Sequence, residues 1–447
     1  MSEIKIQNNR LNRWVPVIAS ITIQLCLGTA YIWSVFQTGI ATRLFEGDNA
    51  AAGLTFAFLL GMLTVGSLVG GKLQDKFSPK PVVMGGGIIL GVGFFLSSFT
   101  TSSASWMLWV TYGILGGFGM GMIYSTTIAC SQKWFPDKRG FITGIIVSAL
   151  GFGGVVFTPI AEILIKKFGI DGSGNLMPGV GELQTFAWLG VVFIIVCVIG
   201  SFFISNPPVG YKPEGWTPPA PKGGLIHQDF TPLEVLRTPQ FYMVTLTLML
   251  ACMAGLMIIG FAKPIAIAKD LAKVAAVGVM IISIFNSLGR VFWGWASDKI
   301  GRKNTIMILL LLTASMILLV NWATGYAVFA LIAIVGFSYG GFLGVFPALA
   351  ADYWGSKNMG TNYGMVLLGF GAGAVASIYI AGYYKNVAII TKVVDGVTIT
   401  GTDLSKMYPA FIIASIASLL GFVLILFLKP PSIKDVIEIK SLQEVVD

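Results

Sequence analysis

Long apolar runs alternate with short polar segments along the whole chain. Twelve runs of roughly 20 residues or more carry little or no charge, which is enough to cross the hydrocarbon core of a bilayer as a helix. Backbone polar groups in lipid need hydrogen-bond partners within their own segment, so each run is predicted to be a transmembrane helix. We call them spans 1 to 12, at about 14–36, 51–71, 82–100, 106–131, 141–165, 184–205, 239–262, 274–296, 304–323, 326–351, 361–384 and 407–428.

The spans fall into two sets of six. The intervening segment, residues 206–238, is polar and rich in proline, which is typical of an exposed linker. The pattern therefore predicts an all-α membrane protein of two six-helix bundles. Its predicted parts are an N-terminal bundle over residues 1–205, the linker 206–238, a C-terminal bundle over residues 239–429 and a tail over residues 430–447.

Composition excludes a soluble multidomain enzyme. Of the 447 residues, 55% are hydrophobic and only 11% are charged, whereas soluble chains are about 25% charged. The cysteines lie within apolar stretches without metal-ligand spacing, and the lone His227 has no nearby His or Cys. We therefore expect no metal, no cofactor and no catalytic residue.

The distribution of basic residues predicts the orientation in the membrane. If the N-terminus is cytoplasmic, the cytoplasmic segments contain 19 Lys and Arg and the opposite loops contain 9. This bias follows the positive-inside rule, so both termini are expected in the cytoplasm of a multi-pass plasma-membrane protein. It also explains the net charge of +9 without a nucleic-acid partner; we expect a monomer in the bilayer.

A repeated loop motif supports the division into halves. Gly71-Lys72-Leu73-Gln74-Asp75-Lys76-Phe77 follows span 2, and Gly294 to Lys303, with Asp298, Lys299 and Arg302, follows span 8. The two copies resemble the loop between spans 2 and 3, and between spans 8 and 9, of the major facilitator superfamily. An aspartate at such a helix end can pair with a basic side chain or with a helix N-terminus of the other half. We therefore predict a charge latch formed by Asp75, Lys76, Asp298, Lys299 and Arg302.

Arg290 is a permanently charged residue near the middle of span 8. A central arginine costs about 2.5–3.5 kcal/mol on insertion scales, so it should face a cavity with a counter-anion. No Asp or Glu occupies the middle of another span, which indicates that the anion is the substrate. Asn286 lies one helical turn away on the same face and can hydrogen bond to the ligand. The alternative is a structural arginine satisfied by backbone carbonyls.

Further short segments occur in order over almost the full chain. They are Gly28-x-x-Tyr31-x-Trp33-Ser34, Tyr124, Trp134 to Gly140, Arg237 to Phe241, Asn286 with Arg290, Gly340-Gly341, Phe346-Pro347 and Asn362-Tyr363-Gly364. In these segments the chain resembles the oxalate/formate antiporter family, near its pyruvate-type and monocarboxylate relatives.

The resemblance and the residue chemistry together indicate further substrate contacts. Tyr124 and Tyr339 lie in the middle of spans 4 and 10, where a phenol needs a partner such as a carboxylate or a neighbouring backbone group. Tyr31 matches a family position in span 1. Phe370 and Leu343 are expected to form apolar walls.

Two departures from the family pattern bear on the substrate. Oxalate exchangers have a Lys eight residues after the Asn of Asn-Tyr-Gly, whereas this chain has Phe370. The site then has about one positive charge, which suits a monoanion. Animal-type proton symporters usually have Asp four residues before the Arg, whereas Asn286 cannot be protonated.

The expected function is therefore secondary transport of a small monocarboxylate of the lactate, pyruvate or formate type. Proton-coupled symport and anion exchange both remain open, with protons as a candidate co-substrate. An oxalate/formate dicarboxylate antiporter is the alternative. A multidrug exporter is disfavoured, because it would need carboxylates in a large apolar cavity.

Overall fold

A computed structural model describes residues 12–175, 177–216, 229–269, 271, 275–394 and 397–431. In this part of the chain, eleven helices are long and apolar enough to cross a membrane. The helix Ala275–Ile300, which contains Arg290, is a further helix of membrane length. The predicted all-α membrane protein with twelve spans is therefore confirmed. Two of the segments outside the described residues are 217–228 of the linker, which includes His227, and 432–447 of the tail.

The first six spans include two interruptions of regular α-helix. Span 1 contains a 3-10 segment and extends beyond the predicted end at residue 36, and span 4 contains a π-helical segment. The bounds are Trp14–Leu27, Gly28–Ile32 (3-10) and Trp33–Leu44 for span 1, Asn49–Lys76 for span 2, Pro79–Ser97 for span 3, Trp106–Leu108, Trp109–Gly116 (π) and Gly117–Trp134 for span 4, Arg139–Gly169 for span 5 and Val180–Ser201 for span 6. A short 3-10 turn, Ser102–Ala104, precedes span 4.

The last six spans are continuous helices. A short helix, Pro232–Leu236, precedes span 7. The bounds are Pro239–Ala268 for span 7, Ala275–Ile300 for span 8, Arg302–Leu319 for span 9, Ala327–Trp354 for span 10, Met359–Ala388 for span 11 and Leu404–Phe427 for span 12.

Local sequence signals explain where several spans begin. The Asp48 side chain accepts hydrogen bonds from the amides of Ala50 and Ala51 and so caps span 2. Pro79 opens span 3, where its missing N–H costs nothing. Gly301 separates spans 8 and 9 with φ +89°, a backbone conformation that side chains with a Cβ rarely adopt.

A β-hairpin joins spans 11 and 12, where the sequence analysis did not predict regular structure. Strand β1, Ile389–Val394, pairs antiparallel with strand β2, Val397–Thr402, and places Ile389 opposite Thr402. The hairpin lies between two spans and leaves the helical architecture unchanged.

Helix packing repeats between spans 1–6, here called the N half, and spans 7–12, the C half. Span 2 packs on span 4 as span 8 packs on span 10, span 1 packs on span 5 as span 7 packs on span 11, and span 3 packs on span 6 as span 9 packs on span 12. The halves meet through the equivalent pairs of spans 5 with 8 and 11 with 2. This repetition is the pseudo-twofold arrangement predicted from the two sets of six spans.

The two membrane sides of the bundle differ in how the halves meet. We call the side that contains Asp75 and Asp298 the latch side, and the other the far side. On the latch side Gly71 packs against the backbone of Gly360, and Gly294 against that of Gly140, with no room for a Cβ. On the far side, Trp33–Leu44 of span 1 packs on spans 2, 5 and 6 of its own half. The halves are therefore closed against each other on the latch side.

Candidate substrate cavity

A cavity lies between the two halves at the depth of Arg290. It contains about 400 Å³ of empty space, part of it open to solvent. Among the described residues, its walls are apolar except for Arg290 and Tyr124. The lining residues are Ala30, Leu60, Leu63, Met120, Tyr124 and Leu150 from the N half, and Arg290, Leu343, Leu367 and Phe370 from the C half.

Small residues fix the position of Arg290 in this cavity. The backbone carbonyl of Arg290 lies against Gly144 of span 5 and Gly344 of span 10, where added Cβ atoms would overlap it. Gly340 gives the same close approach to the carbonyl of Asn286. Since glycine alone permits such contacts, span 8 is held tightly between spans 5 and 10.

The Arg290 side chain is fully buried and reaches across to the N half. Its Nη1 donates a hydrogen bond to the backbone carbonyl of Val147 in span 5, at 2.5 Å. A guanidinium has five N–H donors in a rigid fork, so this bond uses one of them. The group that lines the cavity therefore also joins the two halves.

Asn286 lies one turn from Arg290 but is directed elsewhere. Its side chain is buried, and Nδ2 donates to the carbonyl of Gly336 in span 10 at 3.3 Å. It is not part of the described cavity wall. In this conformation Asn286 therefore contributes to the packing of span 8 on span 10.

The tyrosines predicted from the sequence occupy different places. Tyr124 lines the cavity. Tyr339 is buried and packs against Gly255 of span 7, away from the cavity wall. The Tyr31 side chain lies outside what the structure describes, although its neighbour Ala30 lines the cavity.

One tyrosine near the cavity was not among the predicted site residues. Tyr363 of span 11 is almost completely buried, beside Tyr124 and within electrostatic range of Arg290. Tyr363 belongs to the Asn-Tyr-Gly segment quoted for the family resemblance, which was the available signal. Tyr363 of the C half therefore adds a second phenol, beside that of Tyr124 of the N half, near the Arg290 guanidinium.

The predicted apolar walls are brought together with Arg290. Phe370 of span 11 and Leu343 of span 10 both line the cavity. Leu60, Leu63 and Leu150 complete an apolar surface on the N half. A ligand here would meet one cationic group surrounded mainly by hydrocarbon.

The first copy of the latch joins span 2 to span 11. Asp75 Oδ2 accepts hydrogen bonds from the amide and the hydroxyl of Thr361, both at 2.8 Å. Thr361 lies in the first turn of span 11, where free amides attract negative charge. Lys133 at the end of span 4 lies 3.9 Å from Asp75 Oδ1.

The second copy joins span 8 to span 5 in the equivalent way. Asp298 accepts from the amides of Gly140 at 3.0 Å and Phe141 at 2.9 Å. Arg302 pairs with Asp298 at 2.6 Å and also with Asp352 at 2.9 Å.

Arg139 extends this network across the halves. It pairs with Asp352 at 3.0 Å. Lys76 and Lys299 lie over the rings of Phe77 and Trp295 instead, and neither occurs in an ion pair of the described residues.

Comparison with known proteins shows the family. The Major Facilitator Superfamily model matches residues 17–261 and 245–445. An uncharacterized MFS-type transporter, YhjX of Escherichia coli (strain K12), is 34% identical over 374 residues, 82% of this chain and 87% of that protein. The oxalate:formate antiporter of Oxalobacter formigenes is 28% identical over 426 residues, 94% of this chain and 92% of that protein.

A solved structure shows the same fold. The chain superposes on the Major Facilitator Superfamily transporter FucP in the outward conformation with a TM-score of 0.67, at 14% identity, over 93% of this chain and 99% of that one. Because the family model matches most of the chain, the protein belongs to the Major Facilitator Superfamily, and it is a multi-pass membrane protein. The resemblance to oxalate/formate antiporters stated from the sequence is confirmed by the relative from Oxalobacter formigenes.

Proposed function

We propose that the protein is a secondary transporter of small monocarboxylates such as pyruvate, lactate or formate. It works by alternating access, as a proton symporter or an anion exchanger, in the plasma membrane. The observation that carries this proposal is the fully buried Arg290 in the wall of an apolar cavity between the two halves.

The position of Arg290 favours recognition of a carboxylate. Its cost in the middle of a span, about 2.5–3.5 kcal/mol on insertion scales, is accepted in membrane proteins mainly where the residue has a function. The planar guanidinium fork matches a carboxylate in a bidentate geometry. The bond to the carbonyl of Val147 uses one of the five N–H donors of the guanidinium.

The charge of the cavity wall supports a monoanion. The ten lining residues in the described part of the chain contain one Arg and no Asp, Glu or Lys. A monocarboxylate neutralises that charge, whereas a dicarboxylate leaves one negative charge in a low-dielectric site. Phe370 and Leu343 offer apolar surface to a methyl group such as that of pyruvate or lactate.

The closed latch side supports the transport cycle. We assign this side to the cytoplasm, because the basic residues and both termini are predicted there. In this conformation Asp75 and Asp298 hold the halves together below the cavity. Release of these contacts, with rocking of the halves, would open the cavity to the cytoplasm.

The proposal is tested by replacing Arg290 with lysine. Arg290→Lys keeps the charge but loses the fork, so pyruvate uptake into proteoliposomes of the purified protein should fall at least about tenfold, the effect of 1.4 kcal/mol. The matched control is Arg43→Lys, which changes an exposed arginine at the end of span 1. Wild-type uptake by Arg290→Lys, with equal amounts of inserted protein, would contradict the bidentate role.

Oxalate/formate exchange is the second candidate. It is favoured by the similarity to the oxalate:formate antiporter of Oxalobacter formigenes over most of both chains. The apolar Phe370 in the cavity wall argues for the monocarboxylate. Competition between oxalate and pyruvate separates the two candidates.

A further inference from the structure

Lys385 lies near the far-side end of span 11, above the cavity. Fifteen residues separate it from Phe370, which corresponds to about 22 Å along an ideal helix and a rotation of about 60°. Tyr379, about 180° from Phe370 on the same helix, is 80% exposed and marks the membrane-facing side. Lys385 therefore lies nearer the cavity-facing side of span 11 than the membrane-facing side.

The ammonium group of Lys385 lies against span 7 at the far-side end of the bundle. Lys385 is half-buried, and its Nζ lies 5.6 Å from the ring centroid of Phe261 in span 7. A Cβ atom added to Gly260, an exposed residue, would lie 3.8 Å from Lys385 Nζ. None of the ion pairs among the described residues includes Lys385.

An acidic residue in the described part of this region is engaged elsewhere. Asp403, the cap of span 12, accepts hydrogen bonds from the amide and hydroxyl of Ser405, at 3.0 Å and 2.7 Å. A partly desolvated ammonium beside an aromatic ring gains free energy from an anion that approaches it.

We propose that Lys385 is an outer capture site for the anionic substrate, at the mouth through which the carboxylate reaches Arg290. This inference rests on the proposed transport of monocarboxylates. The ligand class is a small carboxylate anion, held briefly by charge and then passed to the deeper cation.

The physical effect is an increase in the rate of substrate entry. A charge at the mouth of a low-dielectric cleft raises the local concentration of the opposite ion and speeds its association. The screening length is about 30 Å at 0.01 M ionic strength and about 8 Å at 0.15 M. At low ionic strength Lys385 therefore acts over the distance to the cavity, and at high ionic strength it acts only near the mouth.

The test compares pyruvate uptake by wild type, Lys385→Gln and Lys385→Arg in right-side-out membrane vesicles. The matched control is Lys167→Gln, an exposed far-side lysine in span 5. Its Nζ lies over the ring of Phe168, which stacks on the exposed Trp188 at the periphery.

At low ionic strength, Lys385→Gln should raise the KM for pyruvate about threefold to tenfold with kcat nearly unchanged, because it removes charge steering and leaves the deeper site intact. Lys385→Arg and Lys167→Gln should match wild type. At about 0.15 M the difference between wild type and Lys385→Gln should shrink. Chloride competition at Arg290 affects all variants equally.

Two failures are distinguishable. If wild type takes up no pyruvate, the proposed function is wrong. If wild type transports pyruvate and Lys385→Gln has the same KM at every ionic strength, Lys385 is only an interfacial lysine and this inference is overturned while the proposed function stands. An equal rise of KM in Lys167→Gln would also overturn it, because the effect would then be one of general surface charge.

Discussion

Arg290 in span 8 donates a hydrogen bond to the backbone carbonyl of Val147 in span 5, and so connects the C half to the N half at the level of the cavity. The same guanidinium lines the cavity. A ligand that binds Arg290 therefore acts on a group that joins the two moving halves. A displacement of the Arg290 guanidinium should therefore lower the transport rate more than it lowers the amount of protein inserted in the membrane.

Gly144 provides one test of that geometry. In Gly144→Ala the added methyl group overlaps the carbonyl oxygen of Arg290, so spans 5 and 8 must separate and move the guanidinium. We expect pyruvate uptake to fall at least about tenfold, because a displacement of about 1 Å is costly at a binding site. The measurement is initial uptake rate per amount of inserted protein.

The control is Gly85→Ala in span 3, where an added Cβ meets nothing within 4 Å. It should transport like wild type. Equal activity of Gly144→Ala and wild type would show that the close contact of spans 5 and 8 does not position Arg290.

The latch offers a second prediction. Asp298→Asn removes the negative charge that binds the amides of Gly140 and Phe141, and hydrogen bonds to charged groups contribute about 1.5–3 kcal/mol each. The halves should therefore open more often on the latch side and approach on the far side. Spin labels at Thr42→Cys and Asn386→Cys, two exposed far-side positions, should report a larger population of short distances.

The control for this measurement is Glu162→Gln, which changes an exposed carboxylate of span 5. It should leave the distance distribution unchanged. An unchanged distribution in Asp298→Asn as well would contradict the role of Asp298 in holding the latch side closed.

The fold was largely predictable because backbone polar groups in lipid must find hydrogen-bond partners within their own segment, which favours helices. Twelve apolar runs predicted twelve spans, and the repeated loops at Asp75 and Asp298 predicted two related halves. The pairing of Ile389–Val394 with Val397–Thr402 was missed, although the sequence has β-branched residues on both sides of Asp-Gly, a dipeptide typical of tight hairpin turns. The break in span 1 at Gly28–Ile32 left no clear signal in hydropathy.

The site was only partly predictable, because its contacts join distant parts of the chain. Arg290, Tyr124, Leu343 and Phe370 carry side-chain chemistry that a sequence displays, and the structure brings them to one cavity. One partner of Arg290 is a backbone carbonyl 143 residues away, and every residue has such a group. No composition or motif could have selected Val147.

The aspartates of the latch were predictable from the sequence, but the positions of its lysines were not. Asp75 and Asp298 were predicted to pair with a basic side chain or with a helix N-terminus of the other half, and they accept hydrogen bonds from backbone amides at the starts of spans 11 and 5. Lys76 and Lys299 follow these aspartates in sequence, yet their side chains lie over neighbouring rings. Helix geometry, rather than charge sign, decides which basic residue reaches an acid.

Phe370 offers a prediction about selectivity. Phe370→Lys adds a second positive charge to the cavity wall, so a dicarboxylate no longer leaves an unpaired negative charge. We expect the ratio of the oxalate and pyruvate inhibition constants to fall at least about tenfold, the effect of 1.4 kcal/mol. The measurement is inhibition of labelled formate uptake by each unlabelled acid.

Phe370→Met is the matched control, since it removes the ring without adding charge. It should retain the preference for pyruvate over oxalate. A similar loss of preference in both variants would indicate that shape, rather than charge, selects the substrate.

The most direct test of the account is competition for labelled pyruvate uptake in proteoliposomes of the unmodified protein, with unlabelled pyruvate, lactate, formate and oxalate as competitors. One fixed positive charge in the cavity wall should favour the monocarboxylates over oxalate by at least about a hundredfold, because an unpaired buried charge costs several kcal/mol. Equal inhibition by oxalate and pyruvate would contradict the central claim that Arg290 alone sets the charge of the substrate.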